Sequence, residues 1–372
     1  MLSLDTPAPI SSEDQARRGL ERLWALAPQF SAHLGDLDAR GAFPAEDVAL
    51  LAGCGALEIF AGPVVDPIAL LNAFRLLGRA NLSLGRIFEG HVNGARLVEW
   101  YGSPVQRRML AADLAHGKVY GVWNTEPAPG VEIRGEGEAA RLHGSKSYAT
   151  GAGHIDRAIV TGRLSDGRRQ MVIADAGDAA RADGSAWSVR GMRATVSGLY
   201  DLTGLPADAE HRLGRPDDYL CEPRFSAGAW RFAAVQLGGV ERVLGLLRDH
   251  LVNSRAAQDP IHRARFGKAY AACRGALLWV RQAARRAEAA DAGAEAITMV
   301  LFARGVVENA GFEAMEAAAR SVGTRAFFND HPLDVACRDL GLYLRQPVPD
   351  QALDRAAQGV LATDAWADDP LW

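Results

Sequence analysis

Between Val119 and Leu202 a helical chain changes texture, and near Ser226 the helical texture returns. That order constrains the fold more than any single motif. Upstream, Ser12 to Leu34 carries Ala16, Leu20, Leu23, Ala27, Phe30 and Leu34 at helical spacing, with Ser12 and Gln15 in a capping-box pattern. A second helix is expected from Pro44 to Gly53. A third follows Asp66 as cap with Pro67 in its first turn, a fourth covers Ile87 to Tyr101, and a short one covers Val105 to Leu114. In the middle, Val119 to Asn124 and Arg141 to Thr150 read as strands. Arg157 to Leu164 and Arg169 to Ala174 flank Ser165-Asp166-Gly167, a hairpin signal. Downstream, the segments 226–256, 261–289, 292–320 and 350–362 have helical periodicity and few breakers, enough for an antiparallel bundle. The predicted class is α+β: an N-terminal helical domain (1–118), a middle β-domain (119–224) and a C-terminal helical bundle (225–372).

Bulk properties narrow the function. A chain of 372 residues with a formal net charge of −4 has no basic excess that would favour nucleic acid. Cys54, Cys221, Cys273 and Cys337 lie far apart, without metal-ligand spacing, and read as reduced thiols of a cytoplasmic protein. Met1 to Asp5 lacks the basic and apolar regions of a signal peptide. The apolar run around Val64 is broken by Asp66 and Pro67, so no membrane span is expected.

Two motifs carry chemistry. Val122-Trp123-Asn124-Thr125-Glu126-Pro127 is a strand end breaking into a turn, with Gly130 three residues on. Lys146-Ser147-Tyr148-Ala149-Thr150 reads as a strand with Tyr148 and Thr150 on one face. Taken alone, the first is a strand-ending turn and the second a run of good strand formers. In this order they resemble the flavin site of the acyl-CoA dehydrogenase family. Further matches are Tyr101-Gly102-Ser103 with Gln106, Leu142-His143-Gly144-Ser145-Lys146, Gly191-Met192-Arg193-Ala194-Thr195 with Ser197-Gly198, and the interval from Pro332 to Arg338-Asp339.

The resemblance, which spans nearly the whole chain, implies FAD. By it, the backbone of Trp123 and Asn124 and the Thr125 hydroxyl meet the pyrimidine end of the flavin ring. Gly130 lets backbone approach a phosphate or ribose, Tyr148 stands beside the ring, and Thr150 lies near its redox nitrogen. Arg255, after a long helix, matches the family arginine that reaches a neighbouring subunit's diphosphate. It equally suits a helix C-terminal arginine facing the dipole. The resemblance also implies a homo-oligomer, a dimer or a tetramer, and an electron-transfer or reductase partner.

The departures matter as much. Val131 stands where the family has a hydrogen-bonding Ser, and Gly323-Thr324 replaces a Gly-Gly pair. The two places where the family keeps its catalytic Glu hold Pro347 and Trp230, the latter before Arg231. Two groups remain as catalytic candidates. Asp350 is either a rearranged acid or the cap of the last helix; His91 is either a pocket residue or a packed one. Three functions follow: a dehydrogenase acting on an acyl thioester such as an acyl-CoA, a flavin monooxygenase of the same fold using reduced flavin and oxygen, or a non-catalytic flavin- or ligand-binding member.

Overall fold

The computed structural model describes residues 11–63 and 65–362, so the readings at Met1–Asp5 and at Val64 lie outside the described residues. Six helices come first: α1 (Ser12–Arg40), α2 (Ala45–Gly53), α3 (Ala56–Ala61), α4 (Pro67–Ala80), α5 (Leu82–Tyr101) and α6 (Pro104–Ala115). Their starts follow the expected capping chemistry, with shifts. Ser11, not Ser12, caps α1 by accepting from Asp14 N–H, and the helix runs on to Arg40. Asp66 caps α4 as expected. Asn81 caps α5, whose first residue Leu82 lies five residues ahead of the expected start, and Ser103 with Gln106 forms a full capping box on α6.

The strands are β1 (Tyr120–Trp123), β2 (Glu132–Arg134), β3 (Arg141–His143), β4 (Ser145–Lys146), β5 (Arg157–Arg163), β6 (Arg169–Asp175), β7 (Ala182–Asp183), β8 (Leu199–Asp201) and β9 (Arg212–Leu213). One sheet runs β3-β2-β5-β6-β9, with β1 also on β5; a second runs β4-β8-β7. The expected hairpin is β5–β6, antiparallel from Arg157↔Asp175 to Arg163↔Arg169. The expected strand from Arg141 to Thr150 does not exist as one element. Gly144 at φ +113° breaks it, the second piece ends at Lys146, and Tyr148 at φ +52° leaves extended geometry. Tyr148 and Thr150 therefore lie in a turn, not on one face of a strand.

The remaining helices are α7 (Arg224–Ala227), α8 (Trp230–Asn253), α9 (Pro260–Ala287), α10 (Ala294–Val322), α11 (Pro332–Tyr343) and α12 (Pro349–Leu361). Helix α8 crosses α4 at very close range. A Cβ added to Gly238 would lie 2.3 Å from the Arg75 carbonyl oxygen, and one on Gly78 2.1 Å from that of Val235. The apolar core is continuous from Leu23 and Phe74 through Trp123 and Val160 to Trp230 and Ala314. Among the described residues no helix is long and apolar enough to cross a membrane.

Candidate functional site

The turn after β1 is built on a buried lysine. Lys146 Nζ donates to a Glu126 carboxylate oxygen (2.6 Å), to the Asn124 carbonyl (3.1 Å) and to the Thr161 hydroxyl (3.2 Å). Arg169 donates to the other Glu126 oxygen. Burial pushes the Lys146 ammonium down to about 8, with Glu126 opposing the shift. For Glu126 burial works against ionisation, but Lys146 and Arg169 outweigh it and hold the carboxyl below its usual range. Glu126 thus fastens the turn. Ser147 N–H donates to the Thr125 carbonyl (2.9 Å), joining the two sequence motifs directly.

The same joint orders Thr150. The Trp123 indole N–H donates to the Thr150 carbonyl (3.0 Å), and its ring is buried against Tyr200. The Thr150 hydroxyl contacts Ser197 Oγ (3.1 Å), Ser197 contacts Thr195 Oγ1 (2.8 Å), and Thr195 donates to the Met192 carbonyl (2.8 Å). Met192 N–H in turn donates to Asp339 of α11 (2.5 Å). Burial pushes Asp339 up to about 7, against the pull of that N–H. Tyr148 is 61% exposed and meets the edge of Trp187. Asn124 and Thr125 are exposed beside it. The structure therefore brings Trp123, Asn124, Thr125, Tyr148 and Thr150 together, with three of them open to a ligand.

Gly130, at φ +96°, closes the turn, and its carbonyl packs under Gly144 so tightly that a Cβ there would come within 2.6 Å. A cleft of about 330 Å3 beside the turn is lined by Pro127, Gly130, Arg134, His143, Ser145 and Thr203, among others. Val131, where the resemblance expects a hydrogen-bonding Ser, is fully buried in the core. A larger cavity of about 780 Å3 lies among Phe312, Met315, Phe327, Cys337, Leu342 and Arg190, and none of the candidate residues lines it.

Three candidates stand apart. His91 is fully buried: its Nε2–H donates to the Leu57 carbonyl (3.0 Å), and its Nδ1 accepts from Tyr120 N–H (3.1 Å). Both nitrogens are used, and burial pushes the ring down to about 4, so His91 is a packing residue between α5 and β1. Asp350 is neither the cap of α12 nor part of the site. Val348 precedes the helix without a side-chain cap bond, and Asp350 is exposed in its first turn. Arg255 sits exposed at φ +62° between α8 and α9, with no ion pair among the described residues, and adds nothing to the site within one protomer. Trp230 is buried with its indole N–H on Glu288 (3.0 Å). Motif reading missed the fastening roles of Lys146 and Glu126 and the hydroxyl chain through Ser197 and Thr195. All four residues stood inside the quoted motifs, but which side chains meet is not legible from one chain.

Residues 220–343 match the sequence family described as acyl-CoA dehydrogenase, C-terminal domain. The structure superposes on butyryl-CoA dehydrogenase from Megasphaera elsdenii with a TM-score of 0.78 at 16% identity, covering 95% of this chain and 100% of that one. The chain has the acyl-CoA dehydrogenase fold. Within that fold, it also superposes on dibenzothiophene monooxygenase from Paenibacillus sp. A11-2, with a TM-score of 0.82 at 20% identity over 93% of this chain and 97% of that one. In sequence it is 27% identical to dibenzothiophene monooxygenase from Rhodococcus erythropolis, over 58% of this chain and 58% of that protein. The match thus spans less than two thirds of the length of that relative.

Proposed function

We propose that this protein is a flavin-dependent monooxygenase of the acyl-CoA dehydrogenase fold, working with flavin that a reductase partner has reduced. The observation that carries this reading is the identity of two residues. By the resemblance, Pro347 and Trp230 stand at both places where an acyl-CoA dehydrogenase would hold its proton-abstracting carboxylate, and neither can take a proton. Oxygenation needs no such base. The likeness to dibenzothiophene monooxygenases, one of them solved with FMN and indole, supports the same side.

The residues present fit a flavin. Asn124 and Thr125 offer polar groups and Tyr148 an exposed ring on one surface, with the Thr150 hydroxyl close behind. We assign the ring to that surface and its phosphate-bearing tail to the cleft beside Gly130 and Arg134. When bound, reduced flavin supplies two electrons to dioxygen, so that one oxygen atom enters the substrate and the other leaves as water. This chain's part is to orient the ring and to shape the substrate pocket. FMN and FAD both remain within the reading. Arg255 then serves a neighbouring protomer's cofactor in a homo-oligomer.

The test is oxygen-18 incorporation. Full-length protein, a flavin reductase, NADH and either FMN or FAD are incubated with dibenzothiophene or indole under 18O2. Labelled product appearing only with both proteins supports the reading. Release of peroxide alone, together with bleaching of the bound oxidised flavin by an acyl-CoA, overturns it in favour of the dehydrogenase.

A further inference from the structure

Thr150 is clipped on both sides to the segment that carries Thr195 and Ser197. Ala149 N–H donates to the Gly198 carbonyl (3.1 Å), and Gly151 N–H donates to the Thr195 carbonyl (2.9 Å). Between those bonds three hydroxyl groups stand in line. Thr150 Oγ1 lies 3.1 Å from Ser197 Oγ, which lies 2.8 Å from Thr195 Oγ1. The residues are 8%, 5% and 1% exposed, so the line runs inward from the site. It ends on the Met192 carbonyl oxygen, 2.8 Å from Thr195 Oγ1. That is closer than the other two donors on the same oxygen, the Trp187 indole N–H (3.0 Å) and Thr195 N–H (3.1 Å).

The line has one direction. Each hydroxyl has a single hydrogen to give, and a carbonyl oxygen only accepts. Thr195 therefore donates to Met192. Its contact with Ser197 then requires Ser197 to donate, and with that hydrogen in use Thr150 has to donate to Ser197. No other assignment makes all three bonds. Thr150 Oγ1 is left with a lone pair, and no hydrogen, for a ligand.

The inner end is anchored. Met192 N–H donates to Asp339 of α11 (2.5 Å), and a Cβ on Gly191 would lie 2.1 Å from the Arg338 carbonyl oxygen. Met192 and Val196 flank the turn at φ +56° and +45°. A β-branched residue such as Val196 rarely adopts that backbone region and holds it only where its surroundings impose it. Reversing the line gives up the buried Thr195 bond to Met192.

We propose that Thr195 and Ser197 are positioning residues that fix the Thr150 hydroxyl as an acceptor, so that the site selects reduced over oxidised flavin. The redox nitrogen N5 of the oxidised ring carries a lone pair and no hydrogen; two-electron reduction puts a hydrogen on it. An acceptor meets that N–H, but sets lone pair against lone pair on the oxidised ring. The inference rests on the preceding reading for the place of the ring. The preference itself requires neither substrate nor oxygen.

The test titrates full-length protein anaerobically with FMN and with dithionite-reduced FMN, and measures the midpoint potential of the bound flavin. Reduced FMN is expected to bind roughly tenfold more tightly, about the weight of one net hydrogen bond. The bound potential then lies about 30 mV above that of free FMN for the two-electron couple. Thr195→Val is expected to cut the preference below about threefold, because Ser197 is freed to donate to Thr150 and Thr150 to the ring. Ser197→Ala frees Thr150 directly, with the same result, and carries the test if Thr195→Val does not fold. Thr195→Ser restores the hydroxyl and is expected to restore the preference, which a merely structural role for the side chain does not predict. Equal affinity of the wild-type protein for the two redox states, or a preference that survives both Thr195→Val and Ser197→Ala, overturns the proposal. Absence of FMN binding in either state overturns it together with the flavin site. The preference without any oxygenated product leaves this inference standing and removes the monooxygenase reading; labelled product without the preference does the reverse.

Discussion

Lys146 Nζ lies 2.6 Å from the Glu126 carboxylate, with no part of the lysine side chain exposed, and this contact fastens the turn after β1 to the turn after β4. Removing one partner of a buried ion pair strands the other. Lys146→Met is expected to lower the unfolding free energy by about 3 kcal/mol, because Glu126 keeps Arg169 but loses its inner partner. Flavin affinity is expected to fall with it. Urea unfolding monitored by tryptophan fluorescence, paired with a flavin titration of the folded variant, checks both.

Tyr148 separates the role of the site from the stability of the fold. Its ring is 61% exposed, with the edge of Trp187 as its aromatic neighbour. Tyr148→Ala is expected to change stability by less than about 0.5 kcal/mol and to weaken flavin binding roughly tenfold, or about 1.4 kcal/mol. Unchanged flavin affinity would place the ring elsewhere.

His91 gives a pH dependence with a definite sign. Its folded pKa, about 4, lies below its unfolded value of 6.5, so the unfolded chain takes up the proton first as pH falls. Its contribution is whole above pH 6.5 and is lost as pH drops toward 4, about 3 kcal/mol across that window. Asp339, raised to about 7, runs the other way: its contribution is present below the unfolded value of 3.8 and is lost as pH rises through 7. The readout is therefore the stability difference between wild type and His91→Gln. That difference should shrink as pH is lowered from 6.5 to 4.5, and a constant difference would refute the assignment.

Gly238 tests the helix crossing that carries the N-terminal helices on the C-terminal bundle. A methyl group there meets the Arg75 carbonyl at 2.3 Å, backbone that cannot yield by a rotamer change. Gly238→Ala is expected to destabilise the protein by about 3 kcal/mol, the upper end for overpacking. Gly245→Ala on the same helix, where nothing lies within 4 Å, should instead be neutral or slightly stabilising. Thermal unfolding of the pair checks the contrast.

The layer order was legible because helical periodicity and strand alternation are local signals, and Asp66-Pro67 and Ser103/Gln106 mark helix starts by side chains close in sequence. What was not legible depends on contacts between distant segments. Arg141 to Thr150 alternates like a strand, but Gly144 and the left-handed Tyr148 break it so that Ser147 can reach Thr125. His91 looked like a lone ionisable group on a helix; only the positions of Leu57 and Tyr120 show both its nitrogens in use. The face of α5 that carries Glu89 and Asn93 is buried, and its partners Arg231 and Glu288 lie far away in the sequence.

The central claim is that the chain oxygenates rather than dehydrogenates, and a single-turnover experiment addresses it most directly. Protein loaded anaerobically with reduced flavin is mixed with 18O2 and an aromatic substrate, and product is analysed by mass spectrometry. The account predicts one labelled oxygen atom per substrate molecule. Unlabelled substrate with stoichiometric peroxide, from protein whose oxidised flavin an acyl-CoA bleaches, would contradict it.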